Sequence, residues 1–352
     1  MTISISERPS YWEYWRSASG AEVRTEMVEP NRFNFLSFLA TAQALGIEFL
    51  NIAWDAARGV VGTGGTSRIH QALLNLDTSL AFKTYHRRNQ ADEQQEFCTL
   101  INEITVLSQP FVRGHPNIAQ LQGICWDISP DDKPWPVLVF EKSHLGDLHH
   151  FARHGGRDMT FHERLKLCVD IGRAVADMHS NQIVHGDIKP ENVLIFREKS
   201  GTYSARVTDF GYSTRYFHDG DQLMLPRSDP WNAPENDGRR RAWSPSDALK
   251  TDLFCFGMLA FWLLFEPSLS EIIQLGHTQK TSKIGSTGGA EVILRAIKGG
   301  LRSYAQQLLS KIALIEDKKM TLRGFFESSL SEDPTQRATG CLREFIIRLD
   351  PQ

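Results

Sequence analysis

At 352 residues the chain can bury a substantial core, as one large two-lobed domain or two modest domains with extensions, and 41% hydrophobic with 23% charged residues excludes a fibrous or disordered chain. A net charge of −3 supplies no general field for nucleic acid or an anionic membrane, although a local basic patch stays open. The five scattered cysteines, Cys98, Cys125, Cys168, Cys255 and Cys341, contain no CxxC pair, which argues against a disulfide framework or zinc site and for a reducing, intracellular, cytoplasmic setting.

The opening MTISISERPSYWEYW has acidic and aromatic residues where a signal peptide needs an apolar run, and it is too acidic for a transit peptide. Residues 1–55 read as an extension, with a helix predicted over Phe33 to Leu45 that packs on the main body. Between Ala57 and Val139 short apolar stretches alternate with Gly, Asp and Pro, and one charged amphipathic helix falls near Asp92 to Ser108. That pattern predicts a small sheet with one helix. From Glu141 onward the signals are helical: in Phe161 to Ser180 the residues Leu165, Cys168, Ile171, Val175 and Met178 follow a 3.6-residue repeat. The longest apolar run, Leu253 to Phe265, is too short to span a bilayer and predicts a buried helix. Loops are expected at Ser129 to Trp135 and Gly276 to Gly289.

The chemistry concentrates in HGDIKPENVL, where His185, Asp187, Lys189 and Asn192 place an acid, a cation and an amide in one loop between the apolar flanks Ile183-Val184 and Val193 to Phe196. Phosphoryl transfer needs a carboxylate that accepts or orients a hydroxyl proton, positive charge near the γ-phosphate, and oxygen ligands for a divalent metal. Asp187, Lys189 and Asn192 supply these groups. Asp209-Phe210-Gly211 follows after a hairpin-like stretch, Leu194 to Thr208, while Leu80-Ala81-Phe82-Lys83 and Gly62-Thr63-Gly64 precede it.

In these motifs the chain resembles the eukaryotic protein kinase family over about Gly59 to Arg337. The resemblance implies an α+β, bilobal protein kinase fold: N-lobe 56–141, small, β-rich and carrying one helix, and C-lobe 142–352, larger and helical. It implies ATP and Mg²⁺ as cofactors and a protein substrate, with Asp187 as catalytic base, Lys189 beside it, and Asn192 and Asp209 as metal ligands. Lys83 would reach the α- and β-phosphates, paired with Glu103 or, as second choice, Glu96. Gly62 and Gly64 would let the backbone approach phosphate, with Ser67 where the family has a third glycine. Ile69, Ala81 and Leu194 would line the adenine pocket, Phe140 would guard it, and Glu141, Lys142 and Ser143 would form the hinge. Glu235 of Ala233-Pro234-Glu235 would pair with Arg337, and Asp252 would hold the catalytic loop from a buried helix.

Gly186 stands where most kinases have the Arg that pairs with a phosphorylated activation segment. Activation by such a phosphate is therefore not expected. Lys189 and Ser228 resemble Ser/Thr-directed enzymes, whereas Trp231 is shared by tyrosine kinases and their Ser/Thr-specific relatives. Two alternatives stand beside a Ser/Thr kinase: a kinase-shaped module without turnover, suggested by Ser67 and Gly186, and a small-molecule phosphotransferase. The protein substrate and the oligomeric state leave no mark in these motifs.

Overall fold

Asn34 starts the first helix among the described residues. Its Oδ1 accepts from Ser37 N at 3.0 Å while Ser37 Oγ accepts from Asn34 N at 2.9 Å, so two amides that a helix start leaves unpaired are satisfied reciprocally. The helix, α1, runs Phe35–Ala44 and buries Phe38 and Ala42. It lies on a second helix, α2 (Glu93–Leu107), with the rings of Phe35 and Phe38 centred 6.4 and 6.2 Å from that of Phe97.

After α1 the chain runs along a sheet edge: Leu50 N donates to Ile124 O at 2.8 Å and Ile124 N to Glu48 O at 2.9 Å. Gly123 makes this approach possible, because a Cβ there would lie 2.7 Å from both Glu48 O and Leu50 Cγ. Such separations are shorter than carbon can accept, and only glycine omits the atom.

The computed structural model describes residues 33–52, 60–63, 67–73, 79–85, 93–128, 134–236, 242–269, 294–295 and 297–350. They fall into two compact units, one ending at His144 but including Asp209–Thr214, the other comprising Leu145–Thr208 and Arg215 onward. The first unit holds β1 (Val60–Thr63), β2 (Ser67–Leu73), β3 (Ser79–Tyr85), β4 (Leu121–Ile128) and β5 (Pro134–Glu141) in the antiparallel order β1-β2-β3-β5-β4, with α2 between β3 and β4 in sequence. Leu80, Phe82, Cys125, Val137 and Val139 form one core cluster, onto which Leu50 and Ile52 pack. The loop expected at Ser129 to Trp135 gives way to β5 from Pro134; 129–133, the loop at 276–289, Gly64 and residues 1–32 lie outside the described residues.

The second unit contains α3 (Leu148–Arg153), α4 (Phe161–Ser180), the strands β6 (Ile183–Val184), β7 (Val193–Arg197) and β8 (Tyr203–Val207), then α5 (Pro245–Phe265), α6 (Leu301–Lys311), α7 (Glu316–Ser329) and α8 (Gly340–Leu349). Strands β7 and β8 form the expected hairpin. Thr160 and Glu163 cap α4 reciprocally, which fixes where the predicted helix begins.

The α5 helix exceeds the apolar run seen in the sequence, because Ser244 caps it and Pro245 occupies its first turn. By length and composition the helix, with the short turn that follows it, could cross a membrane, contrary to expectation, but 89% of its most apolar window is buried inside the protein. On α5, Phe256 meets Phe325 and Phe345 at 5.5 and 5.7 Å, so all-round apolarity here serves a central core helix.

Candidate active site

Strand alternation sets the site in the first unit. Leu80 and Phe82 of β3 enter the core, so Ala81, Lys83 and Tyr85 share the opposite face. Lys83 is 4% exposed and its Nζ lies 2.7 and 2.8 Å from the two oxygens of Glu103, a fully buried carboxylate on α2. Glu103, then, is the partner of Lys83, and Glu96 remains in the first turn of α2. The same ammonium meets Asp209 Oδ1 at 2.8 Å, and the Tyr85 phenol donates to Glu103 Oε2.

Asp209 has φ +64, a left-handed conformation that costs a non-glycine residue about 1–2 kcal/mol. Strain of this kind persists where the surroundings dictate it, and it points to function. The segment is tied to α2 by Asn102 Nδ2, which donates to the Ser213 carbonyl. Burial alone would lower the Lys83 pKa, yet Asp209 and Glu103 together hold it well above the ordinary lysine value. The contribution of this charge to stability is therefore complete below the ordinary lysine pKa and is lost only at more alkaline pH, as the raised folded value is passed.

The second unit builds its part around Asp252 of α5. This fully buried carboxylate accepts from His185 N at 2.7 Å and Gly186 N at 2.9 Å, with His179 Nε2 at 3.1 Å. Gly186 has φ +82, which glycine adopts without a Cβ clash. His185 Nδ1 accepts from Asp187 N at 3.2 Å, leaving Nε2 as the donor to Thr208 O at 3.2 Å. A buried anchor thus holds the two amides that precede Asp187.

Asp187 itself is 5% exposed. Its Oδ2 accepts from Lys189 Nζ at 2.6 Å and Asn192 Nδ2 at 3.0 Å, and its Oδ1 from Ser228 Oγ at 2.5 Å. Lys189 Nζ also reaches Ser228 Oγ at 3.3 Å, and Asn192 Nδ2 donates to the Asp187 carbonyl at 2.8 Å. With its nitrogen committed to Asp187, the Asn192 amide offers its oxygen as an acceptor.

The segment beyond Asp209 is ordered by packing. Val184, Tyr216, Leu223, Trp243 and Ala248 form an apolar cluster, and Leu223 and Trp243 exchange backbone hydrogen bonds at 2.8 and 2.9 Å. Asp221, 2% exposed, accepts from Phe217 N at 2.8 Å and His218 N at 3.2 Å. Farther along, Arg337 grips Glu235 with both terminal nitrogens, at 2.5 and 2.8 Å, a bidentate pair that carries architecture.

Of the residues singled out in the sequence, Lys83, Glu103 and Asp209 meet in the first unit, and Asp187, Lys189, Asn192 and Ser228 meet in the second. Gly62 of β1 faces Ile69 of β2, Ile69 faces Lys83, and Ala81 faces Phe140 across the sheet. Glu141 is exposed at the end of β5, Ser143 is buried, and Leu194 of β7 is bridged to Asp147 within the second unit. Sequence reasoning missed Tyr85 and Asn102. Tyr85 carried a usable signal, since a residue two beyond Lys83 on a strand shares its face.

A family model described as a protein kinase domain matches residues 56–346. PTI1-like tyrosine-protein kinase 2 of Arabidopsis thaliana is 26% identical over 223 residues, which cover 59% of this chain and 55% of that protein. Wall-associated receptor kinase-like 1 of the same plant is 35% identical over 161 residues, 44% of this chain and 20% of the relative. The probable serine/threonine-protein kinase roco6 of Dictyostelium discoideum is 31% identical over 274 residues, 74% of this chain and 11% of the relative. The chain spans about half the length of the first of these relatives and a smaller part of the other two.

Proposed function

Because the chain belongs to the protein kinase family, we propose that it transfers the γ-phosphoryl group of ATP to Ser or Thr of a protein, with Asp187 as the base. The observation that carries this reading is the tie of Asp187 to Lys189 and Ser228 at 2.6 and 2.5 Å. A hydroxyl brought to that carboxylate can pass its proton to it, while Lys189 supplies a cation beside the reacting oxygen.

The Asp209 carboxylate and the Asn192 amide oxygen are each the ligand type that a hard divalent cation such as Mg²⁺ selects. The chemistry a cation held there would supply is positive charge against the phosphates. Lys83 would contact the α- and β-phosphates, and Glu103 would keep its ammonium aimed. Gly62 and Gly64, with Ile69, Ala81, Glu141, Ser143 and Leu194, would receive the rest of the nucleotide.

Specificity for Ser and Thr rests on Lys189 and Ser228. The names of the relatives divide between tyrosine and serine/threonine, so they do not decide it. Trp231 is consistent with either class, and it is buried with its ring 5.7 Å from that of Trp262 on α5, a packing role. With radiolabelled ATP and generic protein substrates, the label should appear as phosphoserine and phosphothreonine. Dominant phosphotyrosine would overturn the specificity, and ATP binding without any transfer would overturn the activity.

Gly186 removes the side chain that would answer an activation-segment phosphate, and the Tyr216–Leu223–Trp243 cluster orders that segment by apolar burial instead. Phosphatase-treated protein should therefore keep at least about half its transfer rate, since no stabilising charge pair is removed. A loss beyond tenfold, restored by rephosphorylation within 212–228, would refute this form of control.

A further inference from the structure

We infer that Tyr85 is a positioning residue for the Lys83–Glu103 pair, its phenol fixing the rotation of the Glu103 carboxylate; this rests on the kinase reading above. Tyr85 is 5% exposed, shares the β3 face of Lys83, and donates through Oη to Glu103 Oε2. Its ring centre lies 5.2 Å from Lys83 Nζ, so the ammonium is bounded by an aromatic ring as well as two carboxylates.

Lys83 is contested. Glu103 holds it from α2 at 2.7 and 2.8 Å, and Asp209 draws it from a different segment at 2.8 Å. A carboxylate tied to the lysine alone would follow the ammonium whenever the Asp209 contact lengthened or shortened. The phenol supplies a further donor from β3, the same strand that carries Lys83, and makes the Glu103 orientation independent of Asp209.

Burial, reinforced by the charge of Glu103, holds the phenol pKa well above the ordinary tyrosine value, so the group remains a donor across neutral pH. A Cβ on Gly211 would stand 3.8 Å from this phenol oxygen and 3.1 Å from Thr99 Cγ2. The backbone following Asp209 therefore passes close to the Tyr85 hydroxyl.

Tyr85→Phe keeps the ring and removes only the hydroxyl. Calorimetric titration with ATP and Mg²⁺ should show affinity weakened about tenfold, the factor expected for one hydrogen bond to a charged group. KM for ATP should rise by about the same factor and kcat should change by less than about threefold, because bound phosphate would itself help to hold the ammonium. The unfolding midpoint should stay within about 3 °C of wild type, since Glu103 keeps its bonds to Lys83.

Unchanged ATP affinity and KM would overturn the inference, as would a lowered unfolding midpoint with unchanged affinity. A variant that does not fold would assign Tyr85 to the core and overturn it too. If the wild type binds ATP but transfers nothing, the kinase reading fails, while the comparison of affinities still decides the role of Tyr85.

Discussion

Asp187→Asn keeps ATP affinity within about twofold of wild type and lowers the transfer rate by a factor on the order of 10³, within the range that general-base catalysis supplies. The amide has the shape of the carboxylate but no charge, and it can no longer take a proton from a substrate hydroxyl. Its oxygen can keep Lys189 Nζ while its NH₂ faces the Ser228 hydroxyl, which can accept, because the two approach opposite oxygens of Asp187 at 2.6 and 2.5 Å. Losing the charge that Lys189 faces costs about 1 kcal/mol of stability, the difference between a charged and a neutral hydrogen bond. Single-turnover transfer measured beside ATP binding separates these effects. A variant within tenfold of the wild-type rate would remove Asp187 from its assigned role.

Lys83→Met damages the protein in a different way. It takes the cation from a carboxylate that is fully buried, and removing one partner of such a pair costs about 3–5 kcal/mol. The phenol of Tyr85 continues to donate to Glu103, which places the expected loss toward the lower end of that range. Transfer falls at least about 10²-fold, because phosphates that are no longer aligned present the γ-phosphorus off line. Unlike Asp187→Asn, this variant should show weaker ATP binding and a lower urea midpoint together. Wild-type stability in Lys83→Met would mean that the buried pair is not formed in solution, and wild-type transfer would exclude Lys83 from the phosphate site.

Motifs whose members share a short stretch of chain are legible in the sequence itself. HGDIKPENVL holds its acid, cation and amide within six residues, and the structure ties Asp187, Lys189 and Asn192 to one another. The choice of Glu103 over Glu96 is legible too, through resemblance, because Leu107 and the later His115-Pro116-Asn117-Ile118 keep the order of the protein kinase family. What escapes a linear reading is contact between distant segments. Asn102 reaches the Ser213 carbonyl and Asp252 reaches two amides of the loop, and the first of these has no local motif.

The start of α5 is hidden because its first turns carry Ser, Asp and Lys, so only the later apolar portion stands out. The stretch at 48–50 is hidden for a simpler reason. It makes a single bridge, too short for any period of two to register.

That bridge has a consequence for the behaviour of the chain in a crowded solution. In the order β1-β2-β3-β5-β4 the last strand is an edge, and an open edge is a template on which a second chain can add to a shared sheet. Glu48 and Leu50 occupy the outward amide and carbonyl of Ile124, Phe49 stacks on Trp126 at 5.6 Å, and the neighbouring Ile128 is 58% exposed. The missing side chain at Gly123 thus lets a segment of the same chain take the backbone groups of Ile124, and closes that position of the edge to another strand.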